Sequence, residues 1–319
     1  MQSKKKLQIK NIIFLIVIIV IGCYGCTKIN NKPDDKTSSP EDSQTKVFKE
    51  LGYSDEEIKI VFNKLDKDKL VILKNKKYNK NLVNLIKEKY FIYNKLDSYY
   101  KMCDKYPNLD AKEVVTRVNV NVINPFYTDY KDISNKNNSL VLVNKYNKLS
   151  SSFIPKDVEK IDSRFTRKNV FLSTDARKHF EKMCDTISKE GLTLIGFSGY
   201  RTYESQENIY NYYLSIDSKD KVDTYSARPG FSEHQTGLAI DVAKPTSDYN
   251  HFDTTDEYSW LKDNAHKFGF ILRYPKGLDY LTGYMYEPWH YRYVGEEVAT
   301  YIYENNITFD EYYAYFLEK

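Results

Sequence analysis

The stretch Ser232-Glu233-His234-Gln235-Thr236-Gly237-Leu238-Ala239-Ile240-Asp241 holds a histidine, a turn and the opening of a strand. Leu238, Ile240 and Val242 alternate with Ala239, Asp241 and Ala243. That period of two describes a strand with one apolar face and a carboxylate on the other. The small neighbours Ala239 and Ala243 leave room around Asp241, which is not how an ordinary core face is filled. His234 precedes Asp241 by seven positions, ~23 Å in a fully extended chain. For the two to act together the chain must fold back, and Thr236-Gly237 is the turning point.

Working outward, Ser173-Thr174-Asp175 caps a helix running to about Lys189, with Ala176, Phe180, Met183, Cys184 and Ile187 as its apolar stripe and Gly191 ending it. Leu192–Phe197 reads as a strand and Thr202–Ser215 as a helix. Ser259–Phe268 is a helix stopped by Gly269. Phe270–Tyr274 and Trp289–Val294 are further strands. Helices and strands mix without regular βαβ alternation, which predicts an α+β fold with a small antiparallel sheet and flanking helices.

Glu287-Pro288-Trp289-His290 is the second notable stretch. In a regular strand, residues three apart face opposite ways. Pro288 restricts itself and the residue before it, so a bend there turns Glu287 and His290 to the same side. One of them then supplies a ligand and the other a base just beyond it. Two histidines and a carboxylate around an open fourth position describe a catalytic zinc site. Zinc lowers the pKa of water to ~7, and a nearby Glu moves the proton to a leaving amine. The same residues are also compatible with two unrelated, structurally satisfied histidines.

Three motifs taken together narrow this choice: Ser198-Gly199-Tyr200-Arg201, Ser232-x-His234-x-x-Gly237-x-Ala239-x-Asp241 and Glu287-x-Trp289-His290. In this order they resemble the zinc D-alanyl-D-alanine carboxypeptidases of the VanY type, within the wider group of LAS peptidoglycan peptidases. The resemblance spans Ser198–His290. It implies a hedgehog/DD-peptidase-like fold and one Zn2+ per chain. It also implies His234, Asp241 and His290 as ligands, Glu287 as catalytic base and Arg201 as the cation over the scissile carbonyl. In related enzymes a Gln at the position of Gln206 contacts bound peptide. Ser232 hydrogen-bonds substrate or stabilises the loop before His234. Arg228 reads as an exposed loop charge, with binding of a peptide carboxylate as the alternative, and Tyr284 and Tyr286 read as cleft lining. His179, His251 and His266 lack metal-spaced companions and read as structural or exposed.

The implied substrate is a peptidoglycan stem peptide ending in D-Ala. An L,D-carboxypeptidase acting on tetrapeptide stems keeps the chemistry and changes the bond. A dipeptidase for free D-Ala-D-Ala fits a tethered enzyme less well. A non-catalytic wall-binding lipoprotein of the same fold would be supported by loss of Glu287 or a ligand, and all four residues are present.

Ahead of this unit the chain changes character. Lys4, Lys5, Lys6 and Lys10 precede the apolar run Ile12–Ile21. A ten-residue helix is ~15 Å long, half a bilayer core, so residues 1–22 read as a secretory signal. Val20-Ile21-Gly22-Cys23 resembles a lipobox, which implies acylation at Cys23 and an exported, lipid-anchored bacterial protein on the outer face of the membrane. Residues 23–46 are polar and read as a flexible tether. Residues 47–149 read as mainly helical, with Ser54 and Asp110 as caps, and Val118, Val120 and Val122 as a strand. The second unit begins near Val141–Leu149 or shortly after, and 150–319 is taken as the zinc carboxypeptidase domain.

Composition agrees with that plan. Of 319 residues, 41% are hydrophobic and 29% charged, and only 12 are Gly and 9 Pro. This excludes disordered, collagen-like and multi-span membrane classes. A net charge of +4, from 48 basic and 44 acidic residues, gives no footprint for nucleic acid. Four cysteines make no disulfide scaffold at this length, and Cys103 and Cys184 read as small buried hydrophobes. All eight Arg lie at or after Arg117 in a chain that otherwise uses Lys, which favours geometric roles for them.

Overall fold

A computed structural model describes residues 40–136, 138–246 and 249–318. The apolar run, Cys23 and most of the polar stretch after it lie outside the described residues. Among those described, no helix is long and apolar enough to cross a membrane.

Two minor strand pairs flank the main sheet: β1 (Lys131–Asp132) with β2 (Asn147–Lys148), and β3 (Val158–Lys160) with β4 (Phe171–Ser173). The main sheet contains β5 (Ile195–Ser198), β6 (Ala239–Ala243), β7 (Phe270–Leu272) and β8 (His290–Tyr293). Its order is β5-β6-β8-β7 and every pairing is antiparallel. The fold is therefore α+β, as the mixed pattern predicted.

Alternation along β6 decides which face is core. Ile240 and Val242 enter the main apolar cluster, where they meet Phe180, Ile187, Phe270 and Tyr291. Helix Thr174–Ser188 supplies Ala176, Phe180, Met183, Cys184 and Ile187 to the same cluster. Asp241 points to the opposite face. It pairs with Ser198 across β5 and with His290 across β8, so these three residues form one row across the sheet. The main core also takes in Ile133, Val141, Val143 and Leu149. It thus reaches back ahead of residue 150.

The N-terminal region is helical, as predicted. Ser54 forms a capping box with Glu57 at the start of Asp55–Lys64, and Asp110 caps Ala111–Asn119. Two readings need correction. The polar tether does not extend to Lys46, because Pro40–Leu51 is a helix whose Phe48 is buried. Val118, Val120 and Val122 are not a strand. Val114, Val115 and Val118 form the buried stripe of helix Ala111–Asn119, and Asn121, at φ 69°, ends it. Alternation over three residues lost to a capped helical face that packs on Tyr99 and Met102. This region docks on the C-terminal segment: Tyr90 stacks on Tyr315 with centroids 3.8 Å apart.

Candidate active site

The turn before β6 places His234. Residues Glu233–Thr236 form a short 3-10 turn, and Gly237 closes it at φ 71°, a conformation that favours glycine. Ser232 caps the turn by accepting the His234 N–H at 3.3 Å. His234 Nδ1 lies 2.8 Å from the Gly199 carbonyl, so Nδ1 carries the proton and Nε2 is left to face Asp241 Oδ2 at 3.3 Å. Gly199 has to be glycine for a separate reason: a Cβ there would meet the Phe171 carbonyl.

The bend at Pro288 places the second pair. The His290 N–H donates to the Glu287 carbonyl at 3.1 Å, closing a turn with Pro288 at its first corner. Both side chains consequently face the same cleft. His290 Nδ1 lies 3.1 Å from Asp241 Oδ1 and 3.6 Å from Glu287 Oε2.

His234, Asp241 and His290 each offer a donor atom, and these atoms lie within 4.8 Å of one another. Burial disfavours the charged form of His234 and keeps its ring neutral, as a metal ligand requires. Burial also opposes ionisation of Asp241, but His234 and His290 hold its carboxyl far below the usual range. His290 goes the other way. Against burial, Asp241 and Glu233 raise its imidazole to about 9, and the negative charge that favours a proton there favours a divalent cation equally. Asp241 Oδ1 is buried without a hydrogen-bond partner. Two imidazoles, one carboxylate and an unpartnered buried oxygen fit zinc.

Glu287 is buried and its carboxyl is pushed up to about 8, chiefly by desolvation, with Asp241 adding to the effect and His290 and Arg201 opposing it. A dication beside it works in the opposite direction. The combination suits a group that both takes and returns a proton near neutrality.

Arg201 leaves β5 on the loop that precedes helix Tyr203–Leu214. Its Nη1 donates to Gln206 Oε1 at 2.7 Å and its Nη2 to Ser198 Oγ at 2.8 Å. Nη2 also lies 3.9 Å from Asp241 Oδ2. The predicted metal ligands, Glu287 and Arg201 thus line one cavity of about 620 Å³. Ser232 and Gln206 border it too, as do Tyr213, Tyr249, Met285 and Trp289.

Three side chains have partners that the sequence reading did not foresee. Gln206 is 2% exposed, and its other end donates to the Ala227 carbonyl at 2.8 Å. One end of its amide thus holds Arg201 and the other the Ala227 carbonyl, while the side chain still borders the cavity. Arg228 is half-buried and forms a two-pronged pair with Asp223 at 3.0 and 2.6 Å, so it is not an exposed loop charge. Tyr286 donates to Tyr258 at 2.9 Å and does not line the cavity, whereas Tyr284 does.

Sequence reasoning missed the layer beneath the ligands. Glu233, Arg273, Arg292 and Asp310 are all buried, and Arg273 bridges Glu233 and Asp310 at 2.8 and 2.6 Å. The available signal was two arginines within strand-like apolar runs of a lysine-rich chain.

Comparison with known proteins gives a consistent picture. Residues 169–296 match the family described as VanY: D-alanyl-D-alanine carboxypeptidase. The chain is 40% identical over 194 residues to the putative carboxypeptidase YodJ of Bacillus subtilis (strain 168), covering 57% of this chain and 69% of that protein. It is 38% identical over 184 residues to a D-alanyl-D-alanine carboxypeptidase of Enterococcus faecalis (strain ATCC 700802 / V583), covering 54% and 65%. Among solved structures, the LdcB LD-carboxypeptidase superposes with a TM-score of 0.56 at 37% identity, covering 59% of this chain and 91% of that one.

Proposed function

Since this chain belongs to the VanY family of D-alanyl-D-alanine carboxypeptidases, we propose that its cleft removes the terminal D-Ala from peptidoglycan stem peptides. It is a zinc metallopeptidase. The single observation that carries the reading is the convergence of His234, Asp241 and His290 with Glu287 on one side and Arg201 on the other.

His234 Nε2, Asp241 and His290 Nδ1 would hold the ion. When bound, zinc supplies Lewis acidity that activates water and polarises the scissile carbonyl. Glu287 accepts the proton from the attacking water and returns it to the departing D-Ala amine. Burial raises its carboxyl and a bound dication would lower it again, opposing effects that suit a group serving in both transfers. Arg201, locked by Gln206 and Ser198, presents a fixed positive charge where the carbonyl oxygen becomes negative. Tyr213, Tyr249 and Trp289 form apolar walls for the rest of the peptide.

The deciding experiment is mass spectrometry of pentapeptide and tetrapeptide muropeptides incubated with zinc-loaded protein. Loss of one D-Ala from the pentapeptide supports D,D-activity. Loss from the tetrapeptide alone would move the activity to the L,D-bond, the specificity carried in the name of the LdcB relative. Neither loss would refute the reading.

For location, the run Ile12–Ile21 followed by Gly22-Cys23 supports export and acylation at Cys23, which would tether the enzyme to the outer face of the membrane beside its substrate. Palmitate labelling that persists in Cys23→Ser would refute this.

A further inference from the structure

Beneath His290 lie two buried polar atoms that lack hydrogen-bond partners, His290 Nε2 and Glu233 Oε2. They face each other at 3.6 Å. We propose that Glu233 is a positioning residue of the metal site: it fixes the His290 ring so that Nε2 carries the proton and Nδ1 is presented to zinc. The inference rests on the zinc reading above and extends it to a residue outside the ligand set.

The geometry assigns the two oxygens of Glu233 different tasks. Oε1 accepts from Arg273 Nε at 2.8 Å and from Arg292 Nη1 at 3.0 Å. Both arginines are fully enclosed. Each is anchored elsewhere: Arg273 to Asp310 at 2.6 Å, and Arg292 to the Val141 and Ser139 carbonyls at 2.7 and 3.0 Å. Two cations and two carboxylates leave this cluster neutral, so Glu233 stays ionised and its position is fixed from two sides. Only Oε2 remains, and it points at His290. A carboxylate behind a metal-bound imidazole sets its tautomer and raises its basicity. His234 obtains the same service from the Gly199 carbonyl. The two ligand histidines therefore have their proton-bearing nitrogens fixed by separate partners, one from backbone and one from side chain.

A plain packing role makes a different prediction, and substitution separates the two. In Glu233→Gln the single carbonyl oxygen is claimed by the two arginines. The amide N–H then faces His290 Nε2, which favours the tautomer protonated on Nδ1, the nitrogen the metal needs. Glu233→Asp keeps the anion beside the arginines but withdraws it from His290 by one methylene.

The test uses the full chain, stripped with chelator and titrated with zinc against a chromophoric chelator, with circular dichroism and Tm of the metal-free protein alongside. Wild type should bind one zinc, and His234→Ala should lose it. Failure of that control overturns the metal-site reading itself. With the control intact, both Glu233 variants should bind zinc about 10–100-fold more weakly at near-native metal-free circular dichroism. A folded variant with wild-type zinc affinity would overturn the proposal. Because both variants disturb a buried cluster, wild-type protein labelled with 15N-histidine supplies a second readout that needs no Glu233 variant. Zinc-loaded His290, assigned by loss of its signals in His290→Asn, should show metal on Nδ1 and a proton on Nε2. Metal on Nε2 would refute the role of Glu233 whatever the variants do.

Discussion

Arg201→Lys distinguishes stabilisation of the developing oxyanion from simple anchoring of the substrate carboxylate. The guanidinium is held in its plane by Gln206 Oε1 at 2.7 Å and Ser198 Oγ at 2.8 Å. Lysine keeps the charge but offers a single nitrogen and no fork. It either follows Gln206 and withdraws from the cleft, or reaches into the cleft and leaves Gln206 Oε1 buried without a partner. The first choice removes a preorganised donor, a loss of about 100–1000-fold in kcat, or ~2.7–4 kcal/mol. The second costs about 1–3 kcal/mol of stability, a drop of several degrees in Tm for a domain of this size. The assay is steady-state hydrolysis of a soluble peptide ending in D-Ala-D-Ala, carried to saturation with zinc-loaded protein, with Tm measured in parallel. Stabilisation of the transition state predicts a fall in kcat of at least about 100-fold with a smaller change in KM, and a larger loss for Arg201→Ala. Unchanged kcat with raised KM would refute the reasoning, because a contact equally strong before and during reaction affects binding alone.

Glu287→Gln should keep zinc stoichiometry and Tm while losing about 100-fold or more in kcat, since the amide cannot accept the proton; near-normal turnover would exclude Glu287 as base. Gln206→Leu should lower kcat, though less than Arg201→Lys, without abolishing zinc binding, because it frees Arg201 rather than removing it; steady-state kinetics and metal analysis check this. Lys145→Met tests a buried cation away from the metal. Burial depresses Lys145 to about 8, against the pull of nearby Asp223 and together with repulsion from Arg228. Below pH 8 the folded protein carries this buried charge at a cost, and the cost is relieved as pH rises from about 8 toward 10.5, where the unfolded chain still binds the proton. The variant should therefore gain stability at pH 7, by up to roughly 3 kcal/mol, and the gain should shrink steadily to pH 10 in denaturant unfolding measured along that range.

What was legible in the sequence was whatever the chain states locally. The alternation Leu238–Ala243, the turn at Gly237 and the bend at Pro288 each depend on near neighbours, and together they bring His234, Asp241, Glu287 and His290 to one cleft. The link from Gln206 to Arg201 and the place of Glu233 were not legible because they depend on partners from separate elements. Gln206 is occupied by Arg201 and the Ala227 carbonyl. Glu233 is defined by Arg273, Arg292 and, through Arg273, Asp310 on the C-terminal segment. Within its own motif Glu233 reads as a spacer between Ser232 and His234. Local periodicity also misled at Val118–Val122, where a long-range apolar contact outweighed alternation.

The sheet explains why the groups divide as they do. Asp241 and His290 are direct cross-strand partners, and Ser198 completes their row. Facing residues of adjacent strands have Cβ atoms only ~4.5–5.5 Å apart, a separation fixed by backbone hydrogen bonds. Ligands so placed need little side-chain rearrangement to share one ion. The proposed proton carrier and cation stand outside this row, Glu287 on the turn entering β8 and Arg201 on the loop leaving β5. In the mechanism proposed above both serve positions where charge develops only during reaction, and each sits on its own short connection outside the row. Damage to Asp241, to His290 or to Glu233 beneath them should therefore appear first as lost zinc affinity. Damage to the flanking loops should appear as lost kcat at full zinc occupancy, and the two classes of variant should not exchange signatures.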